Sequence, residues 1–148
     1  MNDKELFFDT SYLARLYVED AGFLEIRRLT DAVNRIALAW HAHTELVSAL
    51  HRAYRDSRLD RDAFRAAVDQ FEQDSAQGLF RWIVPESHLL HRIESVYLDA
   101  PAALFLRAAD ALHLACAEAG GFSSIYSNDT RLLSAAPLFG LEGRNIIQ

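Results

Sequence analysis

Short apolar runs alternate along this chain with longer stretches in which apolar residues recur every three or four positions. Leu6, Phe7 and Phe8 form a run ending at Asp9, and Leu13, Leu16 and Tyr17 then give residues 11–18 helical spacing. Residues 22–32 fit a second helix and 35–40 a second strand. A long helix starts near His41 and carries Leu46, Leu50, Ala53 and Tyr54 on one face. Residues 60–76 form another amphipathic segment, with Asp60 as its cap, a stripe of Phe64, Ala67, Val68 and Phe71, and Gly78 as its stop. Residues 81–84 read as a third strand and 86–98 as a helix after Pro85. Residues 104–119 read as a strongly apolar, nearly buried helix stopped by Gly120 and Gly121. Residues 123–126 give a fourth strand, 130–136 a short helix ended by Pro137, and 144–147 a fifth strand at the edge.

Strands that alternate with helices require crossovers, and crossovers put helices on both faces of a parallel sheet. The order therefore predicts an α/β fold, a three-layer α/β/α sandwich around a mostly parallel sheet of about five strands, with residues 1–148 as one domain. A chain of 148 residues can bury roughly 70% of its unfolded surface without staples. The lone Cys116 lies in an apolar setting and reads as a structural thiol compatible with a reducing compartment. Asp3, Lys4 and Glu5 precede only a short apolar run, and nowhere do about 18 uncharged apolar residues follow one another. The expectation is a cytoplasmic protein with no membrane partner. A formal charge of −6 argues against nonspecific adhesion to nucleic acid, although a local basic stripe is compatible with it.

Ligands of open α/β sheets bind beyond the carboxyl ends of the strands. Asp9 follows the first strand and Asp129 the fourth, so both would project from one sheet edge; Glu45, in the first turns after the second strand, lies near it. Asp110 stands among Ala108, Ala109, Ala111, Leu112 and Leu114, where a charged carboxylate is costly unless paired, hydrogen-bonded or bound to a cation. An ion pair with Arg107 would satisfy it. Asp9 and Asp129 also fit as helix caps. Four carboxylates sharing one crevice repel unless a cation compensates them, and oxygen-only ligands suit Mg2+ or Mn2+. Such an ion, together with a phosphodiester, points to metal-assisted hydrolysis.

Phe7-Phe8-Asp9-Thr10-Ser11, Thr44-Glu45-Leu46 with Ala49-Leu50, the run from Ala109 to Ala115, and Ser127-Asn128-Asp129 with Ala135-Ala136 resemble, in this order, the PIN-domain nucleases, and in particular the VapC-type toxins of toxin–antitoxin pairs. The resemblance spans the chain. It implies a Mg2+- or Mn2+-dependent endoribonuclease, often a homodimer, acting on RNA and restrained by a cognate antitoxin. The family's four catalytic and metal-binding acids map onto Asp9, Glu45, Asp110 and Asp129, and Ser11 and Ser127 match supporting hydroxyls.

Fourteen of the fifteen basic side chains counted as Lys or Arg are arginine. Arg52 lies seven positions after Glu45 on the same helical face, so Arg52 and Arg55 are candidate phosphate contacts on a substrate path, although Asp56, Asp60 and Asp62 interleave with this stripe. His41 and His43 lack the cysteines and spacing of common zinc motifs, and His113 reads as a hydrogen-bonded core residue. A phosphoacceptor receiver would need a lysine late in the chain, where only Lys4 exists; an aspartyl-phosphate phosphatase would need Asp where Ser11 stands. Glycine-rich nucleotide loops and a serine elbow are absent. The alternative that stands is a non-catalytic PIN-like module that binds RNA or a protein partner.

Overall fold

The computed structural model describes residues 4–148, so the N-terminal charge pattern as far as Asp3 lies outside the described residues. Strands β1 (Glu5–Phe7), β2 (Arg35–Ala39) and β3 (Phe80–Ile83) pair in parallel, with Leu6 opposite Ile36 and Ile36 opposite Phe80. Strands β4 (Ser124–Tyr126) and β5 (Glu142–Arg144) form a second parallel pair. A parallel bridge between Phe8 and Tyr126, with the Asp9 amide donating to the Tyr126 carbonyl at 3.1 Å, joins the two pairs. The result is one mostly parallel sheet in the order β3-β2-β1-β4-β5. The chain steps outward from β1 to β3, then returns to lay β4 on the other side of β1. The order therefore reverses between β1 and β4, where open α/β sheets place their crevice.

Helices α1 (Thr10–Ala14), α2 (Phe23–Asp31), α3 (Ala42–Arg55) and α4 (Arg61–Ala76) cover one face; α5 (Ser87–Asp99), α6 (Ala108–Ala119) and α7 (Thr130–Ala135), followed by a 3-10 turn over Ala136–Phe139, cover the other. This is the three-layer α/β/α sandwich. Strand side chains alternate between the two cores as the pleat requires. Phe8, Ile36, Leu38 and Tyr126 pack with Leu46, Leu50 and Phe71, whereas Phe7, Ala37, Ala39 and Ile125 pack with Ala111, Leu114 and Ala115. Small residues on both β2 and α6 bring that helix close to the sheet.

Several elements differ in extent from the sequence pattern. The helix expected over 104–119 starts only at Ala108, because Arg107 is extended (φ −77°, ψ 150°) and the Leu104 amide turns back to the Pro101 carbonyl at 2.9 Å. Leu104 and Leu106 still face the core, so their spacing imitated a helix. The first helix ends at Ala14 rather than 18, as its carbonyls bond three residues on, with Leu16 to Leu13 and Tyr17 to Ala14. The last strand pairs over Glu142–Arg144 instead of 144–147; beyond it the Tyr12 hydroxyl donates to Asn145 Oδ1 at 2.7 Å and accepts from the Ile146 amide at 2.7 Å, pulling the chain off the sheet. Asp60 caps α4 through the Ala63 amide, and Gly78 at φ 82° makes the turn into β3.

Candidate active site

Asp9 lies immediately after β1 and caps α1: its Oδ1 accepts from the Tyr12 amide at 3.2 Å and from the Ser11 hydroxyl at 2.6 Å, while Oδ2 accepts from Ser127 at 2.5 Å. The carboxyl is 4% exposed. Burial pushes its pKa up, against the opposing pull of the His113 ring, the two hydroxyls and the Tyr12 amide. Across the crevice, Ser127 follows β4 and accepts from the Asp129 amide at 2.9 Å, and the Ser11 hydroxyl accepts from the Asn128 amide at 2.9 Å. Ser11 and Ser127 thus tie the ends of β1 and β4 together through Asp9.

Asp129 caps α7, its Oδ1 accepting from the Arg131 and Leu132 amides at 2.9 and 3.3 Å. Its Oδ2 faces Arg107, whose Nη2 donates at 2.5 Å while Nε donates to Asp110 Oδ2 at 2.9 Å. Because α6 begins at Ala108, Asp110 belongs to the first helical turn, where the helix macrodipole favours a carboxylate. Its two compensations, the helix end and the guanidinium, explain how an acid only 7% exposed persists among alanines and leucines.

Glu45 sits in the first turn of α3, where Oε1 accepts from Thr10 Oγ1 at 2.8 Å and lies 2.6 Å from His113 Nε2 and 3.4 Å from His41 Nε2. Burial would push this carboxyl up, but the His113 contact, the Thr10 hydroxyl and His41 outweigh it and hold it near a pKa of about 2. The two imidazole rings lie with centroids 4.1 Å apart, and burial with the neighbouring His113 lowers the pKa of His41. One ligand atom from each of His41, Glu45 and His113 lies within 4.8 Å of the others, a cluster able to coordinate a metal ion. Among the described residues this is the one such group of three or more. The four acids therefore do not converge as a single four-carboxylate shell. Asp9 pairs with hydroxyls, Asp110 and Asp129 with Arg107, and Glu45 with two histidines. They still share one field, since Arg107 is stabilised by Asp110, Asp129 and Glu45, and His41 feels both Glu45 and Asp110.

Thr10, His41 and His113 were not singled out as site residues by the sequence, although His41 precedes Glu45 by four positions and His113 follows Asp110 by three, both single-face spacings. His43, the neighbour that sequence pairing suggested for His41, turns instead to Glu72 at 3.2 Å. Arg52 and Arg55 are exposed on the distal part of α3 with no hydrogen-bond or ion-pair partner among the described residues, whereas Arg58 is bound to Asp20 at 2.7 Å. Cys116 is buried, and burial pushes its thiol up to about 11, so it is no nucleophile near neutral pH. A groove of about 730 Å3 along Tyr17, Arg27, Leu59 and Gln70 contains none of the four candidate acids. Among the described residues no helix is long and apolar enough to cross a membrane.

The PIN domain family model matches residues 6–137. Similar solved structures are the sarcin–ricin-loop-cleaving toxin VapC20 of Mycobacterium tuberculosis (21% identity, 88% of this chain and 94% of that one, TM-score 0.67); VapBC2 of Rickettsia felis bound to a promoter DNA fragment (14%, 96% and 98%, TM-score 0.65); and FitAB bound to the IR36 DNA fragment (12%, 95% and 94%, TM-score 0.66). No curated protein sequence gives a match. The family match over nearly the whole described chain, joined to the fold, makes this protein a member of the PIN-domain family.

Proposed function

We propose that this protein is a Mg2+- or Mn2+-dependent endoribonuclease that hydrolyses RNA phosphodiester bonds, acting as the toxin of a toxin–antitoxin pair in the cytoplasm. The observation that carries the reading is Arg107: a side-chain cation bridges Asp110 and Asp129 at 2.9 and 2.5 Å, in the position where paired carboxylates call for positive charge. Asp9, Glu45, Asp110 and Asp129 supply oxygen donors suited to a hard divalent ion, and they are the residues that would hold it. When bound, that ion would supply an activated water and offset negative charge on the phosphorus oxygens. Ser11 and Ser127 hold the Asp9 carboxylate in one orientation. Arg107, displaced from its acids, would turn its fork to a phosphate, and Arg52 and Arg55 would extend the track along α3. The toxin–antitoxin assignment, with a cognate antitoxin, draws support from the VapC20, VapBC2 and FitAB likenesses; a homodimer belongs to the same proposal.

One feature favours a second reading, a non-catalytic module that binds RNA or protein: Arg107 already neutralises two of the acids without metal. Cleavage of a structured RNA pool with Mn2+ or Mg2+, beside chelator and the Asp9→Asn and Asp110→Asn variants, separates the two. Metal-dependent cutting lost in both variants supports the nuclease. Folded, partner-free protein that cuts no more than its variants supports the module.

A further inference from the structure

We propose that His41, Glu45 and His113 form a distinct binding site for a borderline transition-metal ion of the Zn2+ class, sharing only Glu45 with the hard-cation acids. The donor set decides the class of ion. Two imidazole nitrogens and one carboxylate suit Zn2+, Co2+ or Ni2+, whereas Mg2+ takes oxygen ligands and keeps its waters. This set is disjoint in chemistry from Asp9, Asp110 and Asp129, whose oxygens face hydroxyls and a guanidinium.

The geometry is near that of a three-ligand site. Bonds of about 2.0–2.2 Å in a tetrahedral shell put ligand atoms roughly 3.4 Å apart. His41 Nε2 and Glu45 Oε1 stand 3.4 Å apart, while His113 Nε2 and Glu45 Oε1, at 2.6 Å, are in hydrogen-bond contact. Opening that contact by under roughly 1 Å brings the His113 and Glu45 atoms to the same spacing, and the three ligand atoms already lie within 4.8 Å of one another. His113 on α6 is only 2% exposed and His41 stands at the start of α3, so two helices present the rings; ligation through His41 Nε2 exchanges its 3.0 Å hydrogen bond to the Ala109 carbonyl for the ion.

The contacts an ion would exchange are those of the two Nε2 atoms, with Glu45, Thr10 and Ala109; the Nδ1 atoms of both rings are buried without a hydrogen-bond partner among the described residues. Entry is open on one side: His41 also lines a groove of about 570 Å3 with Trp40, His43, Thr44 and Trp82. A ligand set of three protein groups leaves a fourth position for water.

Binding there withdraws Glu45 from the acid set. If the endoribonuclease reading holds, Zn2+ therefore inhibits cleavage supported by Mg2+ or Mn2+. The site itself is tested without RNA. Full-length protein is titrated with Co2+ and followed by its visible absorption, with Zn2+ as competitor, in wild type, His41→Ala, His41→Gln and Asp110→Asn. Thermal unfolding identifies the folded variants. The expected result is one Co2+ per chain in wild type and Asp110→Asn, displaced by Zn2+ and not by Mg2+, and bound about tenfold or more weakly by whichever His41 variant is folded. Binding unchanged in folded His41 variants, or lost in Asp110→Asn, or displaced by Mg2+, overturns the proposal. Because no RNA enters the assay, its failure is separate from failure of the nuclease reading.

Discussion

Arg107 Nη2 donates to Asp129 Oδ2 at 2.5 Å, linking the residue before α6 to the residue before α7. The same guanidinium holds Asp110, so one exposed arginine sits between two acids from separate helix starts. Under the proposed metal-dependent function, a divalent ion would compete with this side chain for the same oxygens.

Arg107→Ala should therefore have two opposite effects. Without metal, Asp110 loses its partner while remaining nearly buried, and stability falls by about 1 kcal/mol, a small figure because the arginine itself is largely solvated. With Mg2+ or Mn2+, the rise in Tm should exceed that of wild type, since no internal cation must be displaced. Thermal unfolding with and without metal reads both effects, and an unchanged metal increment would show that Arg107 does not occupy the cation position.

The pH dependence should carry the mark of Glu45. Its folded pKa of about 2 lies below its ordinary 4.5, so its contribution is full above 4.5 and is lost as pH falls towards 2. With the side chain 35% exposed, solvent screening reduces that contribution to about 1 kcal/mol. Denaturant unfolding between pH 5 and pH 2 should therefore show a shallower loss of stability in Glu45→Gln than in wild type.

Asp9 should behave with the opposite sign. A carboxyl whose folded pKa is raised above 3.8 by burial costs stability where it is ionised, and the cost is relieved as pH falls through the folded value. Asp9→Asn is accordingly expected to keep or raise the wild-type Tm at pH 7 while abolishing metal-dependent RNA cleavage. A marked fall in Tm would mean that the Ser11 and Ser127 hydrogen bonds outweigh desolvation.

Ser127→Ala tests the support of that carboxylate. The hydroxyl is fully buried, donates to Asp9 and accepts from the Asp129 amide, so its removal leaves a buried carboxylate oxygen and a partly buried amide short of a partner. The expected cost is about 1–3 kcal/mol in urea unfolding, with reduced cleavage by the protein that remains folded.

Arg52→Glu combined with Arg55→Glu tests the substrate track. Both side chains are exposed and have no hydrogen-bond or ion-pair partner among the described residues, so folding should be unaffected while RNA affinity weakens and its salt dependence flattens. Unchanged RNA binding and cleavage would remove α3 from the substrate path.

Periodicity carried the layered fold because each strand alternates between two cores and each helix has one apolar stripe. It misplaced the start of α6 because Leu104 and Leu106 pack, partly buried, against the core from a segment outside the helix, and composition does not distinguish a core-facing loop residue from a helical one. The acids after β1 and β4 were legible from position alone. Their partners were less so. The Arg107 pair with Asp110 follows from spacing, but the reach to Asp129 depends on Arg107 lying outside the helix. The histidine pair was hidden because His41 and His113 are 72 positions apart and meet only when α3 and α6 flank the same strand end.

The sheet itself is seamed. Among the described residues its halves pair along the backbone only at the bridge between Phe8 and Tyr126, and the side chains of Ser11, Asp9, Ser127 and Tyr12 add hydrogen bonds across that line. The groups assigned to chemistry are also stitches in the fabric. A descendant of this protein that gave up catalysis would not be free to let these positions drift, because erasing the acid and its hydroxyls would slacken the join between the two half-sheets. Inactive descendants should therefore retain polar residues at these positions, or carry new backbone pairing beside Phe8.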